Sequence, residues 1–394
     1  MIKLANKTKC CGCSACLNVC PKHCISMEQD EEGFLYPKVN EADCVNCGLC
    51  ESVCPFVKTE PVRLAKPISY AVKIKDSEIR ERSSSGGIFS ALASKVLSEN
   101  GVIYGAALRD DKKSVQHIRV DSYEELDPLR TSKYLQSEMT DVYKQVLADL
   151  NVEKKVLFSG VPCQINGLRL FLRKEYENLI CVEVICHGVP SPALWRKYVE
   201  YLEKKYDANI QDVNFRSKKH GWNKFGLAVK GNTIMQYKSI DDDPYMKMFL
   251  RDYCLRPSCY GCNAKKLESM ADLTIADFWG ISNVVPDFND DTGVSLVLLQ
   301  SQKGINIFNE VKNQTEYCEV DFDKAIKCNP AYAVSAKRPT QRDTFFIDMN
   351  KVDFQALEKK YVTDSFKTKL KRFIKRSVLW RLFVKITKRG GGKT

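Results

Sequence analysis

The segment CCGCSACLNVCP occupies residues 10–21, and a second, CVNCGLCESVCP, occupies residues 44–55. Both reduce to C-x2-C-x2-C-x3-C-P, with Cys10, Cys13, Cys16 and Cys20 in the first and Cys44, Cys47, Cys50 and Cys54 in the second. Each member recurs 34 positions later (44 less 10, 47 less 13, 50 less 16, 54 less 20), so the positions form an internal repeat. Two such patterns in register are no accident in a chain with 18 cysteines among 394 residues.

The spacing carries chemistry. Three thiolates separated by two residues each let a short loop fold around one iron–sulfur cubane, and the more distant cysteine reaches away from that loop. In two-cluster ferredoxins this fourth residue ligates the other cluster. Cys10, Cys13, Cys16 and Cys54 are therefore assigned to one 4Fe-4S cluster, and Cys44, Cys47, Cys50 and Cys20 to the other. Zinc is the competing reading, but it calls for two separated pairs of ligands and for no terminal proline. Ile25–Met27 and Phe34–Val39 flank the acidic turn DEEG, which predicts a small hairpin. Residues 1–58 thus resemble a bacterial two-cluster ferredoxin. Cys11 and Cys24 fall outside the pattern and read as small buried side chains.

The remaining length leaves room for one or two further domains, and 44% hydrophobic residues suffice for real cores. Lys plus Arg is 61 against 49 Asp plus Glu, a net charge of +12. From Tyr361 to Thr394 there are 11 basic residues and one acid, Asp364, so this stretch holds +10 of it and the body is close to neutral. A nucleic-acid binder would spread its charge over a folded face, and no stacking platform or reader motif accompanies the basic tail. No apolar run with a cleavage site opens the sequence, and no run approaches the ~20 residues that span a bilayer. The expected location is the cytoplasm, where cysteines bind metal more often than they form disulfides.

Past a proline-bearing linker at Val57–Ile68, a second fold is expected from Tyr70. Ser83, Ser84, Ser85, Gly86 and Gly87 run into IFSALASKVLSENG, where Ile88, Leu92, Val96 and Leu97 share a helical face. Serines and glycines before a helix suit a phosphate, and equally suit an ordinary N-cap. VIYGAAL (102–108), KKVLFSGVPCQ (154–164) and NLICVEVICHGVPS (178–191) read as buried strands, the last two ending in turns with Cys163 and Cys186. Such α/β units gather ligands at the carboxyl ends of their strands. Cys259 and Cys262 form a CxxC before the strand DLTIADFWG (272–280). These four cysteines could close a third cluster, with a zinc site or redox dithiol as the alternative.

The stretches SSGGIFSALA (84–93), SKYLQS (132–137), GVPCQINGL (160–168), CHGVPSP (186–192), NFRSKKHGW (214–222), RPSCYGC (256–262) and DLTIADFWG resemble the coenzyme F-420 hydrogenase and dehydrogenase beta subunit family, over about residues 68–300. Thr131 and Ala276 stand where that family commonly has Gly, small changes that touch local backbone detail. The resemblance implies an α/β core binding FAD and a 4Fe-4S cluster. Carried over, it makes Ser84, Ser85, Gly86 and Gly87 phosphate contacts and Ser132, Lys133 and Tyr134 the lining of a flavin or substrate pocket. It makes Cys163, Cys186, Cys259 and Cys262 the ligands of a flavin-proximal cluster, with Cys254 as an alternative ligand. Trp222 could stack on a ring or fill a core, and Arg216 could pair with an anionic group or sit in a surface ion pair. His187 and Lys133 are the candidate catalytic residues; an imidazole can act as a general acid near neutral pH, or merely donate to a cluster sulfur, and Asp277 is as ambiguous. Cys181, Cys318 and Cys328 read as structural.

The expected fold class is α+β: a ferredoxin domain at 1–58, an α/β flavin and iron–sulfur domain at 68–340 and a basic tail at 350–394. Clusters carry one electron and a hydride carries two, so a protein with both needs a converter, which is the flavin's part. The expected function is a relay from a ferredoxin or other redox partner, within an oligomer or larger complex, through the clusters to FAD. The alternative is an electron-carrying adaptor with no substrate of its own. Phe366, Leu370, Phe373 and Ile374 fall on one face of a basic amphipathic helix, suited to peripheral contact with an anionic membrane or to packing on its own domain.

Overall fold

A computed structural model describes residues 1–4, 6–57, 66–265 and 270–363. The eight residues 58–65, most of the expected linker, and the amphipathic helix expected at 366–376 lie outside it. The DEEG turn is where the sequence places it, joining β1 (Ile25–Gln29) to β2 (Leu35–Val39) as an antiparallel pair with Met27 opposite Pro37. The Asp30 carboxylate closes the turn by accepting from the Glu32 and Phe34 amides at 3.1 and 2.9 Å. Gly33 has φ +87° there, and a β-carbon on it would lie 2.5 Å from the Ala193 nitrogen of the body. The turn therefore needs glycine both for its backbone and for its docking.

The body begins with β3 (Ile68–Ile74), β4 (Val102–Leu108), β5 (Val115–Val120) and β6 (Ser137–Glu138). It continues through β7 (Val156–Gly160), β8 (Leu179–Val184), β9 (Ile210–Ser217), β10 (Gly226–Gly231) and β11 (Met235–Ser239). The last strands are β12 (Leu273–Asp277), β13 (Ser295–Leu299) and β14 (Thr315–Glu319). Nine of them form one sheet in the order β14-β3-β13-β12-β8-β7-β4-β5-β6. β12, β8, β7 and β4 run parallel at its centre, and the outer pairs are antiparallel except β5 with β6. The central runs are apolar at nearly every position because helices cover both faces. The carboxyl ends of all four central strands share one edge, and the chain leaves that edge at Gly160, Val184 and Asp277. β11-β10-β9 make a separate antiparallel sheet. The fold is α+β as expected.

The ferredoxin module is bolted to this body. Phe34 is fully buried beside Phe346, with ring centroids 6.5 Å apart. Arg342 grips Glu32 through two hydrogen bonds of 2.8 and 2.5 Å, and Asn18 donates to the Thr140 carbonyl at 2.7 Å. The same core takes in Phe354, Leu357, Tyr361 and Val362. The chain thus stays packed on the body beyond residue 350, where the tail was expected to begin, because these four apolar residues supply a face that Tyr198 and Tyr253 cover. Among the described residues no helix is long and apolar enough to cross a membrane.

His117 on β5 is buried between the Ser137 hydroxyl (2.7 Å) and the Ser159 carbonyl (3.0 Å). Burial pushes its pKa down to about 4, against the pull of the Ser159 carbonyl. Between about pH 4 and 6.5 the unfolded chain then binds the extra proton, so stability falls as the solution is acidified through that window. The slope is at most about 1.4 kcal/mol per pH unit. Urea unfolding of wild type should show this loss from pH 6.5 downward, and His117→Gln should flatten it; an unchanged slope in the variant would refute the assignment.

Candidate metal and cofactor site

Positive φ at Gly12 (+70°) and Ser14 (+61°) bends the first cysteine loop, and Asn46 (+51°) and Gly48 (+74°) bend the second. Each loop runs into a short helix, Ala15–Val19 or Leu49–Ser52, and the two helices pack together. That packing carries the last cysteine of each run across to the other loop. A cavity of about 310 Å³ is lined by Cys10, Cys13, Cys16 and Cys54, and a smaller one by Cys44, Cys47, Cys50 and Cys20. The grouping is the crossed one that the spacing implies. Among the described residues, no three His, Cys, Asp or Glu side chains are arranged to hold a single metal ion. The cysteines surround volumes rather than points, which suits a polynuclear cluster with one iron for each thiolate. Cys47 is exposed and the first cavity lies deeper, against the body.

The two cysteines set aside as core residues line these cavities as well. Cys24 Sγ lies 3.4 Å from Cys20 Sγ beside the second cavity. Cys11 lines the first, and it packs in one core with Cys13 and, across the junction, Cys163. It therefore stands between the ferredoxin module and the body. Sequence gave no signal for this, because the contact to Cys163 forms only when the two domains dock.

Cys163 lies in the first turn of the helix Pro162–Leu172 rather than in a loop, since Pro162 is pre-set for the first helical position. Cys186 follows β8 by two residues, and Cys259 and Cys262 come from the turn Pro257–Gly261 and the residue after it. The four are neighbours: the Cys163 thiol feels Cys262 and Cys186, and the Cys186 thiol feels Cys259 and Cys262. The Val189 amide donates to Cys259 Sγ at 3.4 Å. Burial pushes the Cys186 thiol well up and the Cys262 thiol up to about 11. Such sulfurs ionise only when a strongly cationic group replaces their protons. Cys254 packs instead in the core with Tyr245 and Leu255, where burial raises it to about 12. Cys181 is buried next to Asp272, whose carboxylate accepts from its amide at 2.8 Å.

A second cluster of polar groups occupies the same sheet edge. Gly87, at φ +87°, caps the helix Ile88–Ser98. Ser84 Oγ accepts from the Ser132 amide at 2.8 Å, joining two of the expected cofactor segments. Ser85 Oγ donates to the Val294 carbonyl at 2.7 Å, and the Gly86 amide donates to Ser295 Oγ at 3.0 Å. Both bonds fix the loop, so these serine hydroxyls are partly engaged in positioning it. Arg216, 1% exposed, pairs with Asp277, which also accepts from Trp222 Nε1 at 2.7 Å. This is a buried pair rather than a surface one. Trp222 is itself fully buried and stacked on Trp279. The Arg216 guanidinium lies 3.5 Å over the Phe225 ring, and its Nε and Nη1 are buried with no hydrogen-bond partner. Two unpartnered guanidinium nitrogens, on a side chain whose Nη2 lies 3.5 Å from the Ser84 carbonyl, offer donors that would suit an anionic group. Tyr134 lies near enough to feel the Arg216 charge, and Lys133 donates to the Pro128 carbonyl. Burial pushes Lys133 down to about 7. His187 is held apart: its Nε2 lies 2.6 Å from the Asp252 carboxylate, and Phe249 packs against both its ring and that of Tyr134.

Residues 69–144 match the family described as coenzyme F420 hydrogenase/dehydrogenase, beta subunit N-term, and residues 153–325 match the C terminus of the same subunit. Residues 9–57 match a 4Fe-4S dicluster domain. The coenzyme F420-dependent sulfite reductase of Methanocaldococcus jannaschii is 27% identical over 325 residues, 79% of this chain. The match covers 46% of that relative, so the chain spans about half its length. A chain in a xenon-derivatised F420-reducing [NiFe] hydrogenase complex from Methanosarcina barkeri aligns with a TM-score of 0.46 and 16% identity. The alignment covers 75% of this chain and 93% of that one. With both halves of the subunit matched in order on the body, and a dicluster domain on the cysteine repeat, the chain belongs to the coenzyme F420 hydrogenase/dehydrogenase beta subunit family.

Proposed function

We propose that the chain is an iron–sulfur flavoprotein oxidoreductase, which exchanges single electrons with a redox partner at its ferredoxin module and a hydride with an acceptor at the body. The observation that carries this reading is the order of the cysteine groups. They run from the exposed Cys47 loop, through the deeper cavity of Cys10, Cys13, Cys16 and Cys54, across Cys11 to Cys163, Cys186, Cys259 and Cys262. Arg216 pairs with Asp277 at the carboxyl end of β12, the strand beside β8 that Cys186 follows. When bound, iron–sulfur clusters would supply one-electron steps and FAD the conversion to two electrons.

The chain's own residues have definite parts in this scheme. Ser84–Gly87, at the amino end of a helix, and the unpartnered nitrogens of Arg216 would hold the phosphates of FAD. Tyr134 and Ser132 would line the pocket. Lys133, poised near neutrality by burial, suits proton transfer better than His187, whose imidazole is engaged by Asp252. Membership of a larger redox complex fits the exposed second loop.

The test is composition and turnover. Protein purified without oxygen should carry about twelve irons with matching sulfide and one flavin. Reduced ferredoxin should bleach that flavin, and coenzyme F420, the coenzyme named for the sulfite reductase, is the first acceptor to try for reoxidation. Zinc in place of iron, or iron without flavin, would overturn the reading. Flavin that bleaches but passes electrons to no small acceptor would favour the adaptor.

A further inference from the structure

Arg256 is fully buried, and among the described residues no Asp or Glu pairs with it. Its donors go elsewhere. Nε donates to the Cys10 carbonyl at 2.7 Å, Nη1 to Gln136 Oε1 at 3.0 Å, and Nη2 to the Leu35 carbonyl at 2.8 Å and to Cys10 Sγ at 3.5 Å. The guanidinium stacks 4.2 Å over the Tyr36 ring. Gly12 makes room for it: a β-carbon there would fall 2.8 Å from Arg256 Nη1. A permanent charge this deep, balanced only by neutral acceptors, would be costly. The groups close by that can carry negative charge are Cys10, Tyr36, Cys11 and Cys259.

We propose that Arg256 is the fixed counter-charge of the cluster bound by Cys10, and that it holds this cluster's reduction potential up. It is a positioning residue, acting on the cluster through charge and through the hydrogen bond to Cys10 sulfur. Reduction adds a negative charge to the cluster, and a buried cation beside it favours that form; net charge and hydrogen bonds to sulfur are levers on cluster potential. Arg256 also precedes Cys259 by three residues, so the side chain that pins the ferredoxin loop belongs to the segment carrying two candidate ligands of the body. The inference rests on the reading of Cys10 as a ligand.

The experiment is a redox titration of the anaerobically purified holoprotein, followed by electron paramagnetic resonance, with iron counted in every sample. Arg256→Gln should keep its iron and lose at least tenfold in the reduced-to-oxidised ratio of one cluster at fixed poise, a fall of about 59 mV for one electron. Arg256→Lys, which keeps the charge, should stay within about threefold of wild type by the same constant. Gln136→Glu sets a carboxylate against Nη1 without removing the arginine, and should shift the same cluster in the same direction. If Arg256→Gln loses iron, Gln136→Glu decides. Full iron with an unshifted potential overturns the proposal. A Cys10→Ala variant that retains all its iron and signals would instead overturn the ligand reading beneath it.

Discussion

Cys54→Ala should cost the protein about four of roughly twelve irons, and the cluster lost should be that of the first loop, 38 residues upstream of Cys54 at its nearest cysteine (54 less 16). The crossed lining of the two cavities is the reason. Cys54 lies with Cys10, Cys13 and Cys16, and Cys20 with Cys44, Cys47 and Cys50. Double variants expose the crossing, because residues that act in one unit are not additive. Adding Cys13→Ala to Cys54→Ala should remove no further iron, whereas adding Cys47→Ala should remove a second set of about four. The opposite pattern would mean that each run closes its own cluster. Iron and sulfide analysis of the purified variants reads the result directly.

Gly86→Ala is the second change with a large expected effect. A β-carbon at Gly86 would lie 2.2 Å from the Val72 carbonyl and 2.6 Å from the Ser295 nitrogen. Both are backbone atoms of adjacent strands, β3 and β13, so neither can swing aside. The loop would have to leave the sheet, breaking the bond from the Ile74 amide to the Gly86 carbonyl (2.7 Å) and that from the Gly86 amide to Ser295. Overpacking of this kind costs about 1–3 kcal/mol. The same displacement would move Ser84 and the helix start that are proposed to hold phosphate. Denaturant unfolding should show the loss of stability, and flavin per chain should fall with it. A variant with wild-type stability would refute the packing argument, and a destabilised one with full flavin would separate the loop from the cofactor.

Local pattern accounts for much of what could be read in advance. VIYGAAL became β4 with its ends unmoved, and the apolar face of Ile88, Leu92, Val96 and Leu97 became the buried face of the helix Ile88–Ser98. Pro192 opens the helix Pro192–Tyr206, the position where a proline is pre-set for a helix start. Cys163 was placed in a turn because the strand before it ends so clearly; Pro162, pre-set for a first helical position, is the local signal that puts it in a helix instead. Sequence spacing could not show Cys11 against Cys163, Arg256 against Cys10 or Glu32 under Arg342. These partners are 152, 246 and 310 residues apart (163 less 11, 256 less 10, 342 less 32), and no local signal reports such pairings. Arg216 was singled out with an anionic partner or a surface ion pair in view; the structure gives a buried pair with Asp277 and leaves two of its nitrogens without a partner.

The hairpin turn at Gly33 and the Glu32–Arg342 grip bear on kinetics. Many carrier domains ride on flexible tethers, and their turnover is paced by how often the carrier finds its next station. Here the carrier is clamped to the station, with Phe34 inside the body's core and Cys11 sharing a core with Cys163. Any transfer across that junction runs over a gap whose width is set by packing. On the proposed relay, thickening the solvent should slow the meetings with an outside donor at the Cys47 loop and with the acceptor at the body, and leave the step across this junction unchanged.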